Sequence, residues 1–361
     1  MTTETVVFGV VVLVRFLLPL AIPRWPLPAI VACLVVDGVD QTVFQTFGFD
    51  PPGYQGYDKA MDVYYLAIAF LASMRNWTRS SAADIARFLF LYRMVGVVAF
   101  ELAHWRPLLL IFPNTFEYFF IAYELVRTRW DPRRFDRRWW LLCAAAIWVV
   151  VKLPQEWWIH IAQFDLTDTL RDIPWAAPAL VVLLLVVAAL TWFVVIPRMP
   201  SPDHGWRFVA DPAPEAMDTA AERDAWMLTH YRVWSWPTLE KVLLVGLLCV
   251  IYGQILPGLD ASPLEVLAFT GTYVVLNAAI GLVLVRRIGS REGVLAAFGL
   301  RLGINVVAVV VARMVLGTGA IPLWGTLFFL TLLALLVTLH DRWAPVAAVR
   351  REEDETAPQP A

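Results

Sequence analysis

Charged side chains are scarce in this chain. Of its 361 residues only 17% are Asp, Glu, Lys or Arg, where a soluble domain carries roughly a quarter. That shortage excludes an ordinary soluble fold once the apolar content is read beside it. Fully 59% of the residues are hydrophobic, 17 are Trp, and the mean hydropathy is +0.63. Cysteine is nearly absent: Cys33, Cys143 and Cys249 sit in apolar runs without a CxxC spacing or a neighbouring His. A disulfide framework and a thiolate metal site are thereby excluded, which leaves three small core residues. With 5 histidines, only His104 and His160 could serve a bis-histidine haem. His204, His230 and His340 fall in loops or near chain ends and read as surface residues. No P-loop, HExxH or GxSxG motif occurs, and nothing marks a nucleic-acid partner.

What the chain has instead is long apolar runs. Stretches able to span a bilayer recur at about 5–22, 28–48, 57–76, 84–103, 108–127, 137–153, 176–196, 237–256, 265–285, 293–316 and 321–339. The reading is an all-α, polytopic integral membrane bundle of about eleven transmembrane helices. The first run lacks a basic n-region and has Arg15 in its middle, so it reads as a retained helix rather than a signal peptide. Loops alternate in charge. Arg75 and Arg79, the arginines of 127–138, those of 198–232, and Arg286, Arg287 and Arg291 mark one side, while GLDASPLE and GTGAIPLW carry no Lys or Arg. The positive-inside rule then puts the N-terminus outside and the C-terminus in the cytoplasm, in a multi-pass protein of a bacterial plasma membrane.

Four units follow: a seven-helix membrane domain over 1–196, a cytoplasmic loop over 197–235 with one short surface helix, a four-helix membrane domain over 236–340, and a disordered cytoplasmic tail over 341–361. Tryptophans such as Trp105, Trp139, Trp140, Trp157 and Trp158 cluster at span ends, as interfacial anchors do.

Against this background the polar residues inside the spans stand out. Asp37 and Asp40 are three apart and Asp58 and Asp62 four apart, so each pair shares one helix face. Between them FDPPGYQGY has the Pro and Gly density of a turn. Carboxylate pairs at two adjacent helix ends are costly in a membrane unless they hold a cation. They are the candidate metal ligands, suited by their oxygen donors to Mg²⁺ or a similar divalent ion. Arg15 and Arg93, near mid-span, and Asn114 are candidate substrate contacts, the arginines as clamps on phosphate oxygens. Glu117 shares a helix face with Asn114, and Glu156 shares one with His160 if that segment is helical. These three, Glu117, Glu156 and His160, are the candidate general acids and bases.

The aspartate spacing, at offsets of 3, 21 and 25 from Asp37, is similar to that of the CDP-alcohol phosphotransferases. In that family the acids hold metal beside a diphosphate. Here Gln41, Phe44, Gln45 and Tyr54 stand where its signature has Gly, Ala, Arg and Gly, so the likeness is of the acids alone. A second likeness, without a shared motif, is with polytopic lipid-phosphate-dependent glycosyltransferases, which place an Asp in an outward loop after an early helix.

Two functions are expected from this set. The first is a membrane enzyme whose outward-facing, metal-binding carboxylate pocket acts on a lipid-linked or isoprenoid phosphate, with membrane lipids as its surroundings. The second is a proton- or cation-coupled transporter or channel using the same acids. Transport needs the polar path to continue inward, where Arg87, Tyr123 and Glu124 are the candidates. A third, non-catalytic reading makes the acids and arginines fixers of helix registry.

Overall fold

The computed structural model describes residues 3–47, 54–162, 173–217, 219–230, 235–255, 298–307 and 323–357, with single positions at 169, 271, 274, 275 and 310 between them. Among the described residues the fold is all-helical, with no strand. Residues 48–53, which hold the first part of the turn expected at FDPPGYQGY, most of the two spans expected over 265–285 and 293–316, and Asp165, Asn277 and Arg313 lie outside the described residues.

Helices α1 (Thr3–Leu17), α2 (Pro26–Thr46), α3 (Tyr54–Asn76) and α4 (Ser80–Ala103) follow one another with short links. Pro26 opens α2 at a position where no N–H is needed. A short helix, α5 (Pro107–Ile111), stops at Pro113, and α6 (Thr115–Arg127) restarts beyond it. Asp136 then caps α7 (Arg137–Ala146), its side chain accepting from Trp139 N at 2.8 Å. This helix continues through a wide π segment at Ile147–Lys152, one α turn, α8 (Leu153–Glu156), and a second π segment at Trp157–Ile161. Pro154, which has no N–H to donate, sits between the two.

Helix α9 (Ala176–Leu190) precedes the loop that contains α10 (Ala220–His230), the short helix expected there. The last described helices are α11 (Trp236–Ile255), α12 (Phe298–Val307) and α13 (Leu323–Thr356).

Helix α3 is the axis of the packing. From Tyr64 to Ala72 every residue is buried, as a helix enclosed on all sides requires, and α1, α2, α4, α6, α11 and α13 all pack against it. At the other extreme, α9 exposes Val181, Val182, Leu183, Leu185 and Val187 and buries almost nothing. Such a surface calls for hydrocarbon or a packed partner rather than water. Four described helices are long and apolar enough to cross a membrane: Pro107–Arg127, Arg137–Ile159, Ala176–Arg198 and Leu330–Thr356. A membrane protein is what this structure fits.

Two expectations are corrected here. Residues 341–356 are not a disordered tail but the continuation of α13. Asp354 caps α4, accepting from Ser80 N at 2.9 Å and Ser80 Oγ at 2.6 Å, and Arg351 pairs with Asp84. Polar composition reads as disorder when the partners lie far away in sequence. His340 is not on the surface either. It is 1% exposed, with Nε2 3.7 Å from Glu240 Oε2.

Candidate functional site

The C-terminal end of α2 and the N-terminal end of α3 lie side by side, so the two aspartate pairs meet, and α1 delivers Arg15 into the space between them. Arg15 is in the last turn of α1, where a cation also complements the helix dipole. Its Nη1 donates to Asp58 Oδ1 and its Nη2 to Asp62 Oδ1, each at 2.8 Å, and the same two nitrogens reach Asp40 and Asp37. All four predicted metal ligands therefore surround one guanidinium. Asp40 forms the floor at 1% exposure, while the side chains of Asp37, Asp58 and Asp62 are 27%, 33% and 37% exposed. Carboxylate oxygens of those three lie within 4.8 Å of one another.

One guanidinium cannot neutralise four ionised carboxylates. At 4.8 Å two like charges repel by roughly 3.5 kcal/mol even at an effective dielectric of about 20. The excess must be met by protons or by further cations. Hard oxygen donors at this separation suit Mg²⁺ or Ca²⁺, and a carboxylate oxygen can accept from Arg15 while its partner oxygen binds elsewhere. The residues fit a divalent ion. Beside the cage is a small recess whose walls are Leu18, Pro19, Cys33, Val36 and Met61, closed by Arg15 and Tyr65.

Tyr65 joins this cage to the other predicted residues. It lies three residues after Asp62, on the same face of α3, and its hydroxyl donates to Glu117. Glu117, 4% exposed, also accepts from Asn114 Nδ2 at 3.0 Å, as their spacing implied. Asn114 N in turn donates to Glu156 Oε1 at 3.1 Å. Glu156 is buried, 3.9 Å from the Nζ of Lys152, which donates to Gln155 at 3.0 Å and lies over the Tyr118 ring.

The Pro113 break makes this possible by freeing carbonyls for α4. Arg93 Nη1 donates to Phe112 O at 2.9 Å and Tyr92 to Ile111 O at 3.0 Å. Gly96 lets the chain come that close, since a Cβ there would overlap the Phe112 side chain. Arg93 thus holds the break and stands apart from the aspartates. His160 lies on the second π segment, with its side chain outside the described residues.

Tyr65 was not singled out in the sequence, although its i+3 relation to Asp62 is the signal for it. Nor were Glu240 and Asp341, the partners that Arg87 and Arg301 find on the last helices, nor Lys241, which pairs with Asp341. Glu240 is 2.6 Å from Arg87 Nε, and Asp341 bridges Lys241 and Arg301 at 2.5 and 2.6 Å.

Aromatic packing divides the polar network of Tyr65 and Glu117 from a second one at the far end of α3. Phe70, Phe90, Phe116 and Phe120 are at most 1% exposed and in mutual ring contact, with Trp77 below them. Beyond them Glu124, seven residues and about 10 Å from Glu117 along α6, accepts from Trp77 at 2.9 Å and from Arg127 at 2.6 Å. No protein-family model, curated protein or solved structure matches the chain.

Proposed function

We propose that the protein is an integral membrane enzyme whose aspartate cage holds a divalent cation and, with it, the phosphate of a lipid-linked or isoprenoid substrate. The observation that carries the reading is the convergence of Asp37, Asp40, Asp58 and Asp62 with Arg15 at one point, at one end of the bundle. A divalent ion bound there supplies neutralisation of a phosphate and of its leaving oxygen. With a cation held by the carboxylates, the Arg15 fork would be the group available to a phosphate oxygen. Glu117, hydrogen-bonded to the Tyr65 hydroxyl at the edge of the recess, accepts or returns a proton there.

The wider frame belongs to this proposal: about eleven spans, N-terminus outside, C-terminus in the cytoplasm, in a bacterial plasma membrane. Under that orientation the cage faces outward. Transport through the same acids is the less favoured reading, because the Phe70, Phe90, Phe116 and Phe120 layer interrupts the polar path.

The test is binding of a prenyl diphosphate to the purified protein with and without Mg²⁺. Retention that requires Mg²⁺ and is lost in Asp62→Asn is expected. Retention indifferent to both contradicts the reading. A cation flux in liposomes that Asp37→Asn abolishes turns the assignment to transport.

A further inference from the structure

The other end of α3 carries the opposite charge. We infer that Arg75, Arg342 and Arg350 form an anion site for a phosphate group, about 25 Å along α3 from the aspartate cage. Arg350, on α13, is 5% exposed; its Nη2 donates to Pro212 O at 2.8 Å and its Nε has no hydrogen-bond partner among the described residues. Arg342, two turns earlier on the same helix, is half-buried and makes neither a hydrogen bond nor an ion pair among the described residues. Arg75, in the last turn of α3, gives Nη1 to Pro23 O at 3.0 Å and Asn76 Oδ1 at 2.6 Å.

None of the three has a carboxylate in ion-pair contact among the described residues, although seven other arginines there do. Ala210 N donates to Arg24 O at 2.8 Å, which brings the Pro212 carbonyl that Arg350 bonds close to the Pro23 carbonyl that Arg75 bonds; Arg342 feels the charge of Arg75 and of Arg223. The acids facing them are Asp211 and Glu353, and Asp211 is already 3.7 Å from Arg127.

Burying an arginine among arginines is unfavourable unless an anion completes the group. Guanidinium forks match phosphate oxygens in geometry as well as charge. The backbone carbonyls of Pro23 and Pro212 hold one nitrogen of Arg75 and of Arg350, which preorganises both forks. A phospholipid headgroup and a free phosphate share this chemistry, and the site lies at a helix end where headgroups would be present.

The experiment melts the full-length protein in a neutral, phosphate-free detergent. Inorganic phosphate is titrated in one arm and phosphatidylglycerol in another, with chloride at matched ionic strength as reference and EDTA throughout. EDTA separates this site from the proposed cation site, so either can fail alone. A saturable rise in melting temperature is expected, with an apparent affinity about tenfold weaker in Arg342→Gln and in Arg75→Gln. Arg342 has no hydrogen bond or ion pair to lose among the described residues, so its variant keeps the unliganded melting point. A response to phosphate itself identifies a soluble ligand; a response to phosphatidylglycerol alone identifies a headgroup. No saturable rise in either arm, or midpoints unchanged in both variants, overturns the site.

Discussion

Arg15 shows at the scale of one residue how the site is held. Its guanidinium is the one cation that the described residues place among the four carboxylates, and it is itself 5% exposed. Removing one partner of a buried charge group leaves the others uncompensated, at a cost of about 3–5 kcal/mol. Arg15→Gln should therefore destabilise the protein by that amount, and Asp40→Asn in the same chain should restore part of it. A double-mutant cycle in melting or denaturant unfolding measures this coupling. Mg²⁺ should also stabilise Arg15→Gln more than the parent protein, because the cation takes over the missing charge.

The residues of this cage are legible in the sequence: carboxylates three and four apart inside apolar runs. Their relation to Arg15 is not. Spacing assigns a residue to a face of its own helix and says nothing of which neighbour that face meets. On spacing and position alone Arg15 reads as a phosphate clamp, and His340, near the chain end, as a surface residue.

At the scale of the element, the break between α5 and α6 and the extension of α13 illustrate two kinds of legibility. Pro113 announces the break, and Asn114 and Glu117 behave as their spacing says. That Gly96 on α4 makes room for Phe112 is a tertiary fact with no local signal. Gly96→Ala should push Phe112 away, weaken the Arg93 and Tyr92 bonds to the freed carbonyls, and cost about 1–3 kcal/mol as an overpacked core does. Loss of melting temperature with the oligomeric state unchanged is the readout.

The end of α13 is the reverse case. REEDET looks like a solvated tail, yet Asp354 caps the N-terminus of α4 from 274 residues away. Asp354→Ala should cost about 1 kcal/mol, typical of a lost N-cap, and raise hydrogen exchange at the start of α4. Exchange unchanged there would mean that the cap contributes nothing.

At the scale of the whole molecule, the chain gathers Asp37, Asp40, Asp58 and Asp62 at one end of α3 and Arg75, Arg342 and Arg350 toward the other, with buried aromatic rings between. The apolar runs made the membrane class readable from composition, because hydrocarbon is the one solvent that tolerates a helix as bare as α9. The helical arrangement was not readable, since runs of similar length and polarity can pack in many orders. A binding or catalytic centre closed on one side fits this layout better than a conducting path.

The central claim is that the aspartate cage is a cation site. The most direct measurement is divalent-metal content, with metal-dependent melting, of the purified protein beside its Asp40→Asn/Asp62→Asn double variant. Bound metal near one equivalent, or a melting rise with Mg²⁺, Mn²⁺ or Ca²⁺ that the double variant loses, is the predicted result. A protein that binds no metal, and whose melting responds to none of the three ions, would contradict it and leave the four aspartates as the counter-charge of Arg15.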